Sequence, residues 1–200
     1  MIEHQKTANN KINMDKIRIP DSLKGPLGTH KNYIAHIALD NCVDYFRLRE
    51  KNKEEGNNGT SNQYKELRYF LNAVESLNNI FDYMYFETYK ENTEQTLNKF
   101  KQDYLEKHTE LKNISEIANA YKHCIRGAFK NGKFTPNKNS LHASDLTENT
   151  IHFTVNMSVD RPLTELQYSF KGIDSEKTLK KAFRYWVNYI NNDIPTQENT

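Results

Sequence analysis

Residues 60–85 read TSNQYKELRYFLNAVESLNNIFDYMY, and their spacing decides what kind of molecule this is. Leu67, Phe70, Val74, Leu77, Phe81 and Met84 recur at alternating steps of three and four, the interval that lines one side of an α-helix. Tyr64, Leu71, Ile80 and Tyr85 flank the seam. Thr60 and Gln63 form a capping box at its start, the hydroxyl satisfying a free N–H and the amide reaching back. So long a stripe must pack along another long helix, in the same chain or in a second copy. Partner helices are available within the chain, so the expectation is an intramolecular bundle, with a homodimer left open.

Working outward, Ile34, Ala38, Cys42 with Val43, Tyr45, Phe46 and Leu48 predict a helix from about Thr29 to Lys51. The polar run KNKEEGNNGT (51–60) reads as a loop. Residues 1–28, with Asn-Asn, Ile-Pro and Gly-Pro breaks, read as an irregular arm. Downstream, Leu97, Phe100, Tyr104 and Leu105 predict a helix starting near Thr93. Another is expected from Asn113, capped by Asn113 with Glu116 and continuing through Ile114, Ile117, Ala118, Tyr121 and Ile125 to a stop at Gly127. The two can be continuous through His108.

Beyond Gly127 the period changes. Asn131-Gly132 between Phe129 and Phe134 signals a tight hairpin. After a polar loop from Thr135 to Thr150, Ile151, Phe153, Val155, Met157 and Val159 alternate with polar residues, as a strand buried on one face does. Asp160-Arg161-Pro162 turns the chain, and Leu166, Tyr168 and Phe170 mark a returning strand. From about Asp174, Leu179, Ala182, Phe183, Trp186, Val187 and Ile190 share one helical face, and 193–200 is a frayed tail. The expected architecture is mainly α. A four- to five-helix bundle forms a single domain over 29–192, with a small antiparallel hairpin or sheet at about 128–171 before the C-terminal helix.

The bulk composition agrees with one packed core. Only 36% of the 200 residues are hydrophobic, but 12 Tyr and 10 Phe bury much area each. Cys42 and Cys124 lie far apart and outside any metal-ligand spacing, which points to reduced thiols and a cytoplasmic setting. The first residues lack the apolar core of a secretory signal, and no membrane-length apolar run follows, so no membrane contact is expected. Nucleophile-elbow, phosphate-loop and dinucleotide motifs are absent, and no cofactor is expected. His36, Asp40 and Asp44 share a helix face but spread along about 12 Å of axis. Without ExxH or HExxH they read as a solvated surface, and no metal site is expected. Tyr185, Trp186 and Tyr189 have the look of a ligand box, yet their spacing is what a packed terminal helix needs.

The densest candidate site surrounds His123. From Lys122 to Ser144 the chain carries Lys122, Arg126, Lys130, Lys133 and Lys138 and no Asp or Glu. Lys122, His123 and Arg126 complement the negative end of a helix. The same cations, beside exposed aromatics, would also hold an anion or a nucleic-acid backbone. His123 is the candidate general base, because its charge changes near neutral pH. Cys124 adjoins it, but helix neighbours point about 100° apart and make no nucleophile–base pair; both cysteines read as small core residues.

Asn119-Ala120-Tyr121-Lys122-His123 resembles a motif of bacterial helical proteins in which a helix ends in Asn-Ala-x-Lys-His before a short sheet and a closing helix. Their bundles resemble HEPN domains, which occur in prokaryotic toxins and phage-defence ribonucleases. That resemblance implies a helical fold and, where an arginine precedes the histidine by a few residues at a dimer cleft, metal-independent RNA cleavage. Here Glu116, Ile117 and Ala118 occupy the matching positions, and His108 has Lys101 where the arginine would stand. Two functions follow as expectations. The leading one is a non-catalytic binding or interaction module of bacterial type, its surface built around His123 for a nucleic-acid or protein partner. The other is a divergent HEPN-like ribonuclease, with His123 as base and Lys122 or Arg126 stabilising phosphate charge.

Overall fold

The computed structural model describes residues 27–56, 60–88, 95–125, 127–153 and 163–192. The expected arm (1–28) and tail (193–200) fall almost entirely outside them. The first helical unit is α1 (His30–Tyr33), a π-helical turn over Ile34–Ala38, and α2 (Leu39–Glu55). Thr29 caps it, its hydroxyl accepting from the Asn32 amide at 3.1 Å. The helix runs past the expected end at Lys51, because Gly56 supplies a left-handed stop at φ 60°. Ile34, Ala38, Cys42 and Tyr45 point inward and are fully buried.

The central helix α3 spans Thr60–Thr88. Its seam is buried within the chain at Phe70, Val74, Leu77, Phe81 and Met84, with Leu67 half-buried at one end. The α4 helix (Leu97–Lys107) starts later than Thr93, where the Thr96 hydroxyl accepts from the Lys99 amide. His108, at φ −135° and ψ 88°, breaks the chain, and α5 (Thr109–His123) begins at once. Asn113 therefore lies inside α5 and not at a cap. The helix also ends at His123, short of Gly127, which leaves Ile125 51% exposed; Tyr121, still within the helix, is 42% exposed and not a core residue either. Cys124 is exposed as well, while Cys42 is the core thiol that the pattern predicts.

Strands β1 (Gly127–Lys130) and β2 (Lys133–Pro136) pair antiparallel around Asn131-Gly132, whose φ values of 51° and 74° suit a tight primed turn. A 3-10 turn over Ala143–Asp145 leads into β3 (Leu146–Phe153). This strand starts within the expected polar loop; residues 154–159 of the expected strand and the expected turn at Asp160-Arg161-Pro162 lie outside the described part. β3 pairs with β4 (Leu163–Phe170), and β4 with the short β5 (Ile173–Asp174). Tyr168 and Phe170 face the bundle; the Tyr168 hydroxyl donates to the Gln63 carbonyl at 3.2 Å and its ring stacks on Phe70. The last helix, α6 (Ser175–Asn192), is capped by Asp174, whose carboxylate accepts from the Lys177 amide at 2.9 Å.

Trp186 is fully buried in α6 and ringed by Phe81, Tyr104, Tyr185 and Tyr189. The Tyr185–Trp186–Tyr189 run is thus packing, as its spacing implied. A buried ion cluster joins three helices: Arg49 of α2 donates to Glu66 of α3 at 3.1 Å and pairs with Glu176 of α6 at 2.6 Å. Asn52 donates to the other Glu66 oxygen at 2.9 Å. Fixed donors surround these charges, so losing one partner would leave a buried charge unsatisfied, whereas the intact cluster adds little net stability.

Candidate functional site

The segment that leaves α5 is built to project. At Cys124 the backbone takes φ 51° and ψ −61°, and the Ile125 amide donates back to the His123 carbonyl. This is a γ-turn of the rare positive-φ kind, and a non-glycine residue holds it at a cost. It swings the chain off the helix axis into β1. One backbone bond, from the Ala143 amide to the Cys124 carbonyl at 2.8 Å, ties the turn to the returning chain. Gly127 then leaves room for Phe134: a β-carbon there would lie 2.6 Å from Cζ of that ring.

On the hairpin, Phe129 and Phe134 face each other across the strands at 5.3 Å and stay 78% and 41% exposed. At its base, His123, Ile125, Gly127, Ala128, Thr135, Pro136 and Asn137 line a cleft of about 610 Å³. The residues singled out from sequence separate here. His123, the last residue of α5, is exposed on the cleft wall, and its ring has no hydrogen-bond partner among the described residues. Lys122 points the other way, onto α3, where its ammonium pairs with Glu75 at 3.1 Å and donates to Asn79 at 3.3 Å. Lys133 and Lys138 are exposed. The backbone of Lys130 pairs with that of Lys133, while its side chain, and Arg126 altogether, lie outside the described residues. The structure thus puts His123 on the hairpin side and commits Lys122 to the bundle.

Lys122 belongs to a polar groove that the sequence pattern does not reveal. Glu75, Asn78, Asn79 and Asp82 line the flank of α3 away from its seam, and Lys101 of α4 meets them, donating to Asn78 Oδ1 at 2.6 Å. Burial holds the Lys101 ammonium below its ordinary value, with the Asp82 charge opposing. Burial likewise raises the Asp82 carboxyl, against the pull of Lys101 and Lys122. Tyr33 stacks on Tyr83 beside this groove, and burial pushes its phenol up to about 12. The available signal was four polar residues at steps of three, one and three on α3, which a search for apolar periodicity passes over. Lys101 and His108, paired by the family pattern, are engaged by different helices: His108 lies against Tyr185 of α6 at 3.3 Å.

No group of His, Cys, Asp and Glu among the described residues is arranged to hold a metal ion, and His36, Asp40 and Asp44 are all exposed. None of the described helices is long and apolar enough to cross a membrane. Comparison with protein-family models, with curated proteins and with solved structures finds no match.

Proposed function

We propose that this chain is a non-catalytic interaction module that docks an acidic protein partner on the β1–β2 hairpin and the cleft at its base. One observation carries the reading. Of the six large hydrophobic side chains that remain exposed among the described residues, Tyr121, Ile125, Phe129 and Phe134 fall in a single segment. The two Phe rings pack on each other, and no other ring contacts them among the described residues. An aromatic centre with a polar rim is the anatomy of a protein interface, and aromatic anchors dominate binding energy. The rim supplied here is cationic: Lys133 and Lys138 make no ion pair among the described residues, and no carboxylate occurs between Lys122 and Ser144.

The test places a photoreactive benzoyl-phenylalanine at Phe129 in cells that produce the protein, with Tyr64, 70% exposed on α3, as a matched control position. The reading expects a discrete, protease-sensitive adduct at position 129 that the control position lacks. Equal labelling at both positions, or adducts digested only by nuclease, would overturn it.

The ribonuclease reading draws on His123, which stands on a cleft wall beside Thr135 and Asn137. Of its two candidate cations, Lys122 pairs with Glu75 and Asn79, and Arg126 lies outside the described residues. An RNA-cleavage assay on wild type and His123→Ala decides between the two. The interaction module predicts no cleavage by either protein, whereas cleavage lost in the variant would establish the nuclease.

A further inference from the structure

The outer face of α6 carries a second charged surface, separate from the hairpin. Lys177, Lys181, Arg184, Asn188 and Asn191 follow one another at steps of four, three, four and three, and all five are exposed. They form a straight row of hydrogen-bond donors about 21 Å long at the helical rise. From Lys177 to Asn192 the helix contains no Asp or Glu. Lys177, Lys181 and Arg184 make no ion pair among the described residues, whereas the neighbouring Lys180 is bound to Glu176 at 2.5 Å.

Clefts border the cationic end of the row on both sides. One, of about 440 Å³, is lined by Lys177, Lys180, Lys181 and Arg184 with Asp174 and Glu176. The other, of about 330 Å³, lies against α5 and includes Thr109, Glu110 and Asn113. The acids there are mostly occupied. Glu176 is held by Arg49 and Lys180, and Asp174 caps α6 and accepts from Gln167 at 3.5 Å. Glu110 leaves its charge on the α5 side, so the positive face is the flank away from α5.

We propose that this ridge seats the phosphate backbone of double-helical DNA, without contact to the bases. A duplex presents one negative charge per about 1.7 Å of axis, so a ridge of this length meets several phosphates along one face. Lysine, arginine and asparagine are the side chains that contact phosphate in this way. No exposed aromatic stands on the row, which removes the stacking platform that single strands require. Tyr185 and Tyr189 are half-buried against Trp186 instead.

The test is anisotropy of a labelled DNA duplex of about two turns, titrated with the full chain at several salt concentrations. With three cations released, a fourfold rise in salt is expected to weaken binding about 40-fold. Lys177→Glu/Lys181→Glu/Arg184→Glu should abolish binding, and the matching triple glutamine variant should flatten the salt dependence while the unfolding midpoint stays that of wild type. The assignment is overturned if the wild type does not bind, if a single strand or duplex RNA binds as tightly as the DNA duplex, or if the glutamine variant keeps the wild-type salt slope.

Discussion

Cys124 shows how a single residue redirects the chain. Its positive φ is a conformation in which a β-carbon is strained and glycine is not, and it stands at the junction between α5 and the hairpin. Cys124→Gly is expected to stabilise the fold by about 1 kcal/mol in urea unfolding with an unchanged m-value, the released strain outweighing the entropy glycine adds to the unfolded chain. A loss of stability would mean that the turn carries no strain. Glu66 provides a pH test. Burial raises its carboxyl above the ordinary value, against the hydrogen bond from Asn52 and the Arg49 charge. Folding therefore penalises the ionised form: the penalty is absent below the unfolded pKa and complete above the folded one, so this group's contribution falls as pH rises through the folded value. The stability of wild type relative to Glu66→Gln should decline as pH rises above the ordinary carboxylate range. A flat difference in paired unfolding curves would contradict the burial argument.

At the scale of elements, the legible parts were those fixed by local period. The α3 seam, the Asn131-Gly132 hairpin, the returning strand at Tyr168 and Phe170 and the inward face of α6 all follow from side-chain spacing, because one apolar face must find a core. Boundaries fared worse where a tertiary partner decided them. Asn113 looks like a cap, yet α5 starts at Thr109 because His108 has already broken the chain. Tyr121 and Ile125 continue the stripe of α5 in spacing, yet both are exposed: the γ-turn at Cys124 carries Ile125 off the helix, while Tyr121, still helical, is left uncovered. The candidate site was legible only as a charge cluster. That Lys122 turns to Glu75 while His123 turns to the hairpin depends on helix packing, not on sequence distance. The polar groove between α3 and α4 was likewise hidden, and it yields its own test. Lys101→Met and Asp82→Asn should each destabilise, since each leaves a half-buried charge without its opposite nearby, while the double variant should recover part of the summed loss. Strict additivity in the double-mutant cycle would show that the two charges do not interact.

Taken whole, the molecule divides its aromatic residues between two tasks. One set closes the bundle around Trp186 and along α3, and that seam is satisfied within the chain. Leu77→Ala should therefore cost about 3 kcal/mol of unfolding free energy without changing the mass seen by sedimentation, since the seam holds helices of one chain together. The other set, at the α5 exit and on the hairpin, stays exposed, and under the proposed docking role it contributes little to folding. The most direct measurement is urea unfolding of Phe129→Ser/Phe134→Ser beside wild type. A surface kept for docking predicts a change under about 1 kcal/mol with the same m-value, no more than a cross-strand pair is worth. A loss above about 2 kcal/mol would show that these rings belong to the core, and would contradict the account.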